Sequence, residues 1–165
     1  MLRAGAMALS SVSILLVGRA TGRGGRLLER AMLIAHLKLF VAGFLATLVF
    51  HQGLMAVLHA AGISPRAAWN LTAVPPLGVP QVVSLAFWGG LWAIAIALGM
   101  RVSGLSGTWV WVLAGALLPS IVALGLVMPM KGIPVDGKIV VGALLLNAAW
   151  GWGVAICLQL MTRID

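Results

Sequence analysis

The chain has 165 residues, 62% of them hydrophobic and 8% charged, with a formal net charge of +8. That composition excludes a soluble globular fold, because too few polar residues remain to cover a surface. The basic excess does not describe a nucleic-acid binder either. Six of the eleven basic residues (Arg3, Arg19, Arg23, Arg26, Arg30, Lys38) precede or open the first long apolar run, and no soluble element offers a basic face with base-reading groups beside it.

Residues 1–30 combine the apolar "AGAMALSSVSILLVG" with the Arg/Gly-rich "RATGRGGRLLER". The apolar part falls short of the about 20 residues a spanning helix needs, and no small-x-small cleavage site follows it. Met32 opens a membrane protein by itself, so 1–30 read as an interfacial or poorly ordered extension ahead of a transmembrane domain at 31–165. The first span is expected at 33–61, an apolar stretch without proline. The segment "GISPRAAWNLTAVPPLGVP", with prolines at 65, 75, 76 and 80, predicts a structured loop. Its Asn-Leu-Thr at 70–72 fits the glycosylation pattern, a short match of low specificity.

A second span is predicted at 81–100, with Pro80 at its first turn. "RVSGLSG" connects it to a third at 108–128, which Pro119 should kink. "MPMKGIPVDGK" leads to the fourth at 139–161. The fold class is therefore all-α, an integral membrane four-helix antiparallel bundle in the lipid bilayer. Placing both termini in the cytoplasm puts Arg3, Arg19, Arg23, Arg26, Arg30, Lys38, Arg101 and Arg163 inside, against Arg66, Lys131 and Lys138 outside.

Helices in lipid gain from close backbone approach and interhelical hydrogen bonds. Gly89, Gly90, Gly115, Gly125, Gly142, Gly151 and Gly153 read as packing notches, and Asn147 as a hydrogen bond to a neighbouring helix or a ligand contact. Seven tryptophans and no tyrosine suggest indoles near the headgroup boundary. Cys157 is the single cysteine, so no intramolecular disulfide forms. The carboxylates, Glu29, Asp136 and Asp165, all fall outside the spans, which argues against a proton-coupled pump. No nucleophile–base pair or His-Glu-x-x-His motif is present, so no catalytic residue and no enzyme activity is expected.

One stretch, "LVFHQGLMAVLHAAG" at 48–62, places His51, Met55 and His59 on an i, i+4, i+8 stripe that Thr47 extends by one turn before it. Trp69 and Asn70 in the following loop, and Met128 and Met130 at the end of the third span, belong to the same outer side. The ligand- or partner-contact set is His51, Gln52, Trp69, Asn70 and Asn147. The alternative is a metal set of His51, Met55, His59, Met128 and Met130, since imidazole with thioether suits copper or the axial positions of haem. Against it, no histidine lies on the later spans and no carboxylate is placed to orient an imidazole. The plainer reading is that His51 and Gln52 bond to the loop, His59 sits in the wet interface and Met55 packs. His36 and Lys38 are snorkelling positions.

The runs "GFLATLVFHQGLMAVLHAAG" and "NLTAVPPLGVPQVVSLAFWGGLWAIAIAL" resemble a group of small, uncharacterised bacterial inner-membrane proteins carrying F-H-Q-G, V-P-P-x-G-V-P and F-W-G-G-x-W motifs. The resemblance covers residues 43 to 98 and implies a bacterial inner membrane and a four-span fold, without an activity. The functional expectation is a non-enzymatic membrane protein, either an accessory or assembly subunit, with a membrane-protein partner or a second copy of itself, or a binder of an apolar ligand. A copper- or haem-handling protein and a small uncoupled channel using Asn147 and Pro119 are the alternatives.

Overall fold

The computed structural model describes residues 23–163; the apolar run at 4–18, Arg3, Arg19 and Asp165 lie outside them. Four helices are long and apolar enough to cross a membrane: span 1 (Gly24–Ala60), span 2 (Gln81–Ser103), span 3 (Thr108–Met130) and span 4 (Gly137–Thr162). The protein is thus an all-α, multi-pass membrane four-helix bundle. Between spans 1 and 2, the two-residue strands β1 (Ala73–Val74) and β2 (Val79–Pro80) pair antiparallel.

The described residues form two units that divide between Leu37 and Lys38. In the first, residues 23–30, read from sequence as part of the extension, are already helical. Leu27, Leu28, Leu33 and Leu37 are exposed there, and His36 Nδ1 donates to the Met32 carbonyl (2.7 Å). The second unit holds the rest of span 1 and the other three spans.

Within that unit the helix ends are closed by local chemistry. Spans 1 and 3 stop in the same way: Ile63 N–H bonds the Leu58 carbonyl (2.9 Å) and Gly62 N–H that of His59 (3.0 Å), while Ile133 and Gly132 repeat the pattern on Met128 and Pro129 (both 3.0 Å). Gly62 and Gly132 take the left-handed φ (71° and 65°) that this closure needs. Asp136 starts span 4 by accepting the Ile139 N–H on Oδ1 (2.8 Å), an ordinary N-cap.

Small residues let the spans approach closely. A Cβ on Gly89 of span 2 would collide with the Thr47 hydroxyl of span 1, and one on Gly151 of span 4 with the Trp111 carbonyl of span 3. Spans 3 and 4 run antiparallel, with Thr108 beside Gln159, Trp111 beside Gly151 and Ser120 beside Asn147. The sequence reading of seven span glycines as mainly packing notches is corrected at Gly125 and Gly142, where a Cβ would meet open space. Which face a helix turns inward is set by its neighbours, and glycine alone does not reveal it. The core gathers Ala42, Ala46, Ala93, Ala155, Trp111, Trp150 and Val154. Trp150 departs from the boundary expectation for indoles: it is buried, and its Nε1–H donates to the Gly43 carbonyl (3.0 Å). Two π-helical turns interrupt the α-helices, at Thr47–His51 in span 1 and at Ala123–Val127 in span 3, the latter four residues after Pro119.

Candidate functional site

The first π turn decides where the loop between spans 1 and 2 attaches. Gln52 N–H reaches the Thr47 carbonyl, five residues back, and so releases the Leu48 carbonyl that it would take in a regular α-helix. Leu48 then accepts the Trp69 indole N–H from the loop (2.9 Å). Trp69 is tied at a second point, where its backbone N–H donates to Oε1 of the buried Gln52 (2.7 Å).

Trp69 has φ +49°, a left-handed conformation that a side chain disfavours. Holding a non-glycine residue there costs about 1–3 kcal/mol, and two hydrogen bonds at about 0.5–1.5 kcal/mol each are of the size needed to hold it. The chain continues to His51, whose Nδ1 lies 3.3 Å from Gln52 Nε2. With the amide donating, the neutral imidazole carries its proton on Nε2.

Asn70 extends the clamp to span 2. Its Oδ1 accepts the Thr72 N–H (2.8 Å) and its Nδ2 donates to Gln81 Oε1 (2.8 Å). The Asn70 and Thr72 carbonyls accept the Val82 and Gln81 N–H groups (3.0 and 2.9 Å), two donors that a helix start leaves without partners. Both ends of the amide in the Asn-Leu-Thr match are therefore engaged in the turn. These links put Gln52 level with the start of span 2. Residues 52–60 continue past that level by roughly 12 Å at 1.5 Å per residue.

Met55 and His59 meet at Ser64: the Ser64 hydroxyl donates to the Met55 sulfur (3.4 Å), and His59 Nδ1 donates to the Ser64 carbonyl (2.9 Å). The structure joins His51, Gln52 and Trp69 into one hydrogen-bonded set, with Asn70 next in the chain bonded instead to Thr72, Gln81 and Val82, and brings Met55 and His59 together at Ser64. Asn147 belongs to neither; its Nδ2 donates to Oγ of the buried Ser120 (2.9 Å), tying span 4 to span 3. No hydrogen bond joins Met128 or Met130 to a histidine among the described residues. Met130 is 78% exposed, and the Met128 carbonyl accepts the N–H groups that close span 3. Among the described residues no three of His, Cys, Asp and Glu come together as metal ligands.

Ile63, Leu71 and Leu77 expose their side chains on the same loop as a half-exposed Trp69, Leu77 at 81%. Sequence reasoning missed Ser64 and the Leu48 carbonyl, because a backbone acceptor released by a π turn has no residue signature. It also missed a shallow groove of about 190 Å³ lined by Gly107, Thr108, Trp111, Ala155, Leu158 and Gln159. Two polar residues at span ends, Thr108 and Gln159, were the available signal. No protein-family model, curated protein or solved structure matches the chain.

Proposed function

We propose that this multi-pass membrane protein is a non-enzymatic accessory subunit of the bacterial inner membrane, with both termini cytoplasmic, and that it engages a membrane partner through the loop at 61–80. The observation that carries this reading is Trp69, an aromatic side chain held in a left-handed backbone conformation by Gln52 and Leu48 and left half-exposed. Strained residues of this kind cluster at recognition sites, where surrounding contacts fix them in advance of binding. The polar side chains nearby, Gln52 and Asn70, hold the loop.

Native mass spectrometry of the protein released from its own membranes tests the proposal. A second polypeptide bound to the wild type and lost from Trp69→Ala is expected. The same masses for both proteins would contradict it. A bound small apolar molecule in place of a polypeptide would move the function to ligand binding at the same surface.

One observation favours copper or haem as a second reading: Met55 and His59 both converge on Ser64. Metal analysis and a visible spectrum after gentle purification decide it, since stoichiometric copper or a Soret band that His59→Ala removes would establish the cofactor.

A further inference from the structure

We propose that the helix of the first unit, through Arg26 and Arg30, gathers anionic phospholipid headgroups from the leaflet on the N-terminal side of span 1. The unit Met1–Leu37 holds five arginines and a single carboxylate, Glu29. Positions 23, 26 and 30 of its helix are all arginine, and at about 100° per residue they share an arc of about 60°. Glu29 stands outside that arc, and no salt bridge ties it to Arg26 or Arg30 among the described residues. Both of these arginines are exposed. Their charge is therefore uncompensated within the helix.

The residues around and after the arginines identify the partner as a lipid. Leu27 and Leu28 are exposed between them, and residues 31–37, which hold no Asp, Glu, Lys or Arg, expose Met32, Leu33, Ile34 and Leu37. Cations at one end of a helix whose next two turns are apolar match a phospholipid, with phosphate against guanidinium and acyl chain against the aliphatic side chains. A nucleic acid or an acidic soluble protein would use the charge alone and leave those side chains without a partner. Basic residues directly before a span attract an anionic leaflet, each by a factor of about 5. The surface lies within one unit, is separate from the loop at 61–80 and stands whatever that loop binds. It also holds for either orientation of the chain, because it concerns only the leaflet that Arg26 and Arg30 meet.

The test reads lipid composition beside the arc itself. In a Cys157→Ser background, Gly24→Cys carries a donor fluorophore, and the full chain is reconstituted into phosphatidylcholine vesicles. These hold a trace of acceptor-labelled lipid, either phosphatidylglycerol or phosphatidylcholine, with the label on the acyl chain. At low salt, energy transfer should indicate local enrichment of phosphatidylglycerol over phosphatidylcholine by a factor of about 5 or more. In 1 M KCl, where the screening length falls to about 3 Å, that factor should approach one. Arg26→Gln combined with Arg30→Gln should bring it below about 2 at low salt, whereas the corresponding pair of lysine substitutions should keep most of it. Lys131→Gln, in the loop between spans 3 and 4, should leave it unchanged. The lysine pair separates loss of charge from loss of fold. Equal transfer to the two lipids in the wild type, enrichment that the glutamine pair or 1 M KCl leaves unchanged, or a loss in the lysine pair as large as in the glutamine pair would overturn the proposal.

Discussion

At the scale of single residues, the loop between spans 1 and 2 depends on two acceptors, the Gln52 side chain and the Leu48 carbonyl. Gln52→Leu leaves the Trp69 N–H without its partner beside a buried position, a loss of about 1–3 kcal/mol. Arg66 is the tryptic site within the loop, so cleavage there reads the opening of the clamp. We expect cleavage to speed up by a factor of about 5 or more, and an unchanged rate would show that Gln52 does not hold Trp69. Trp69→Phe keeps the ring and removes only the indole donor, with an expected loss of about 1 kcal/mol in thermal stability. Gln52, Trp69 and Asn70 are visible in the sequence because a polar amide in an apolar run and an aromatic in a proline-rich loop both need explanation. Their partners are hidden: the π turn follows from how the helix meets its neighbours, and a 3.6-residue pattern does not encode it.

At the scale of elements, stability comes from backbone approach at small residues and from a few bonds between helices. Gly89→Ala forces a methyl against Thr47 and should lose about 1–3 kcal/mol, the usual range for overpacking. Gly99→Ala in the same helix meets open space and should stay within about 0.5 kcal/mol. Thermal unfolding in detergent compares the pair directly, and equal effects would mean the close approach of spans 1 and 2 is not as described. For spans 3 and 4, a double-mutant cycle of Asn147→Leu and Ser120→Ala should give a coupling of about 0.6–2 kcal/mol. A coupling near zero would remove that hydrogen bond from the account and return Asn147 to the channel reading. The span positions are legible because apolar runs and prolines mark them within a few residues. Gly43 and Ser120 are not, since a glycine or serine inside an apolar helix reads the same whether it faces lipid or another helix.

At the scale of the whole molecule, the composition already requires a membrane, and four helices of suitable length and hydropathy fit it. Orientation rests on the distribution of basic residues, in which the N-terminal cluster dominates. In a Cys157→Ser background, Leu77→Cys at the exposed loop tip should react with a membrane-impermeant maleimide added to intact spheroplasts. Labelling only after lysis would invert the topology. The function is the part least legible in the sequence, because the proposed surface is defined by where a loop is held, and a loop position has no residue signature.

The central claim, that the protein works through the Trp69 surface, is tested most directly by photo-crosslinking in native membranes. A photoreactive residue is placed at Leu77, and as a control at the exposed Val141 of span 4. The account predicts one discrete polypeptide adduct from position 77, absent from position 141 and lost when Trp69→Ala is added. Adducts with lipid alone from both positions, or a polypeptide adduct that Trp69→Ala leaves unchanged, would contradict it.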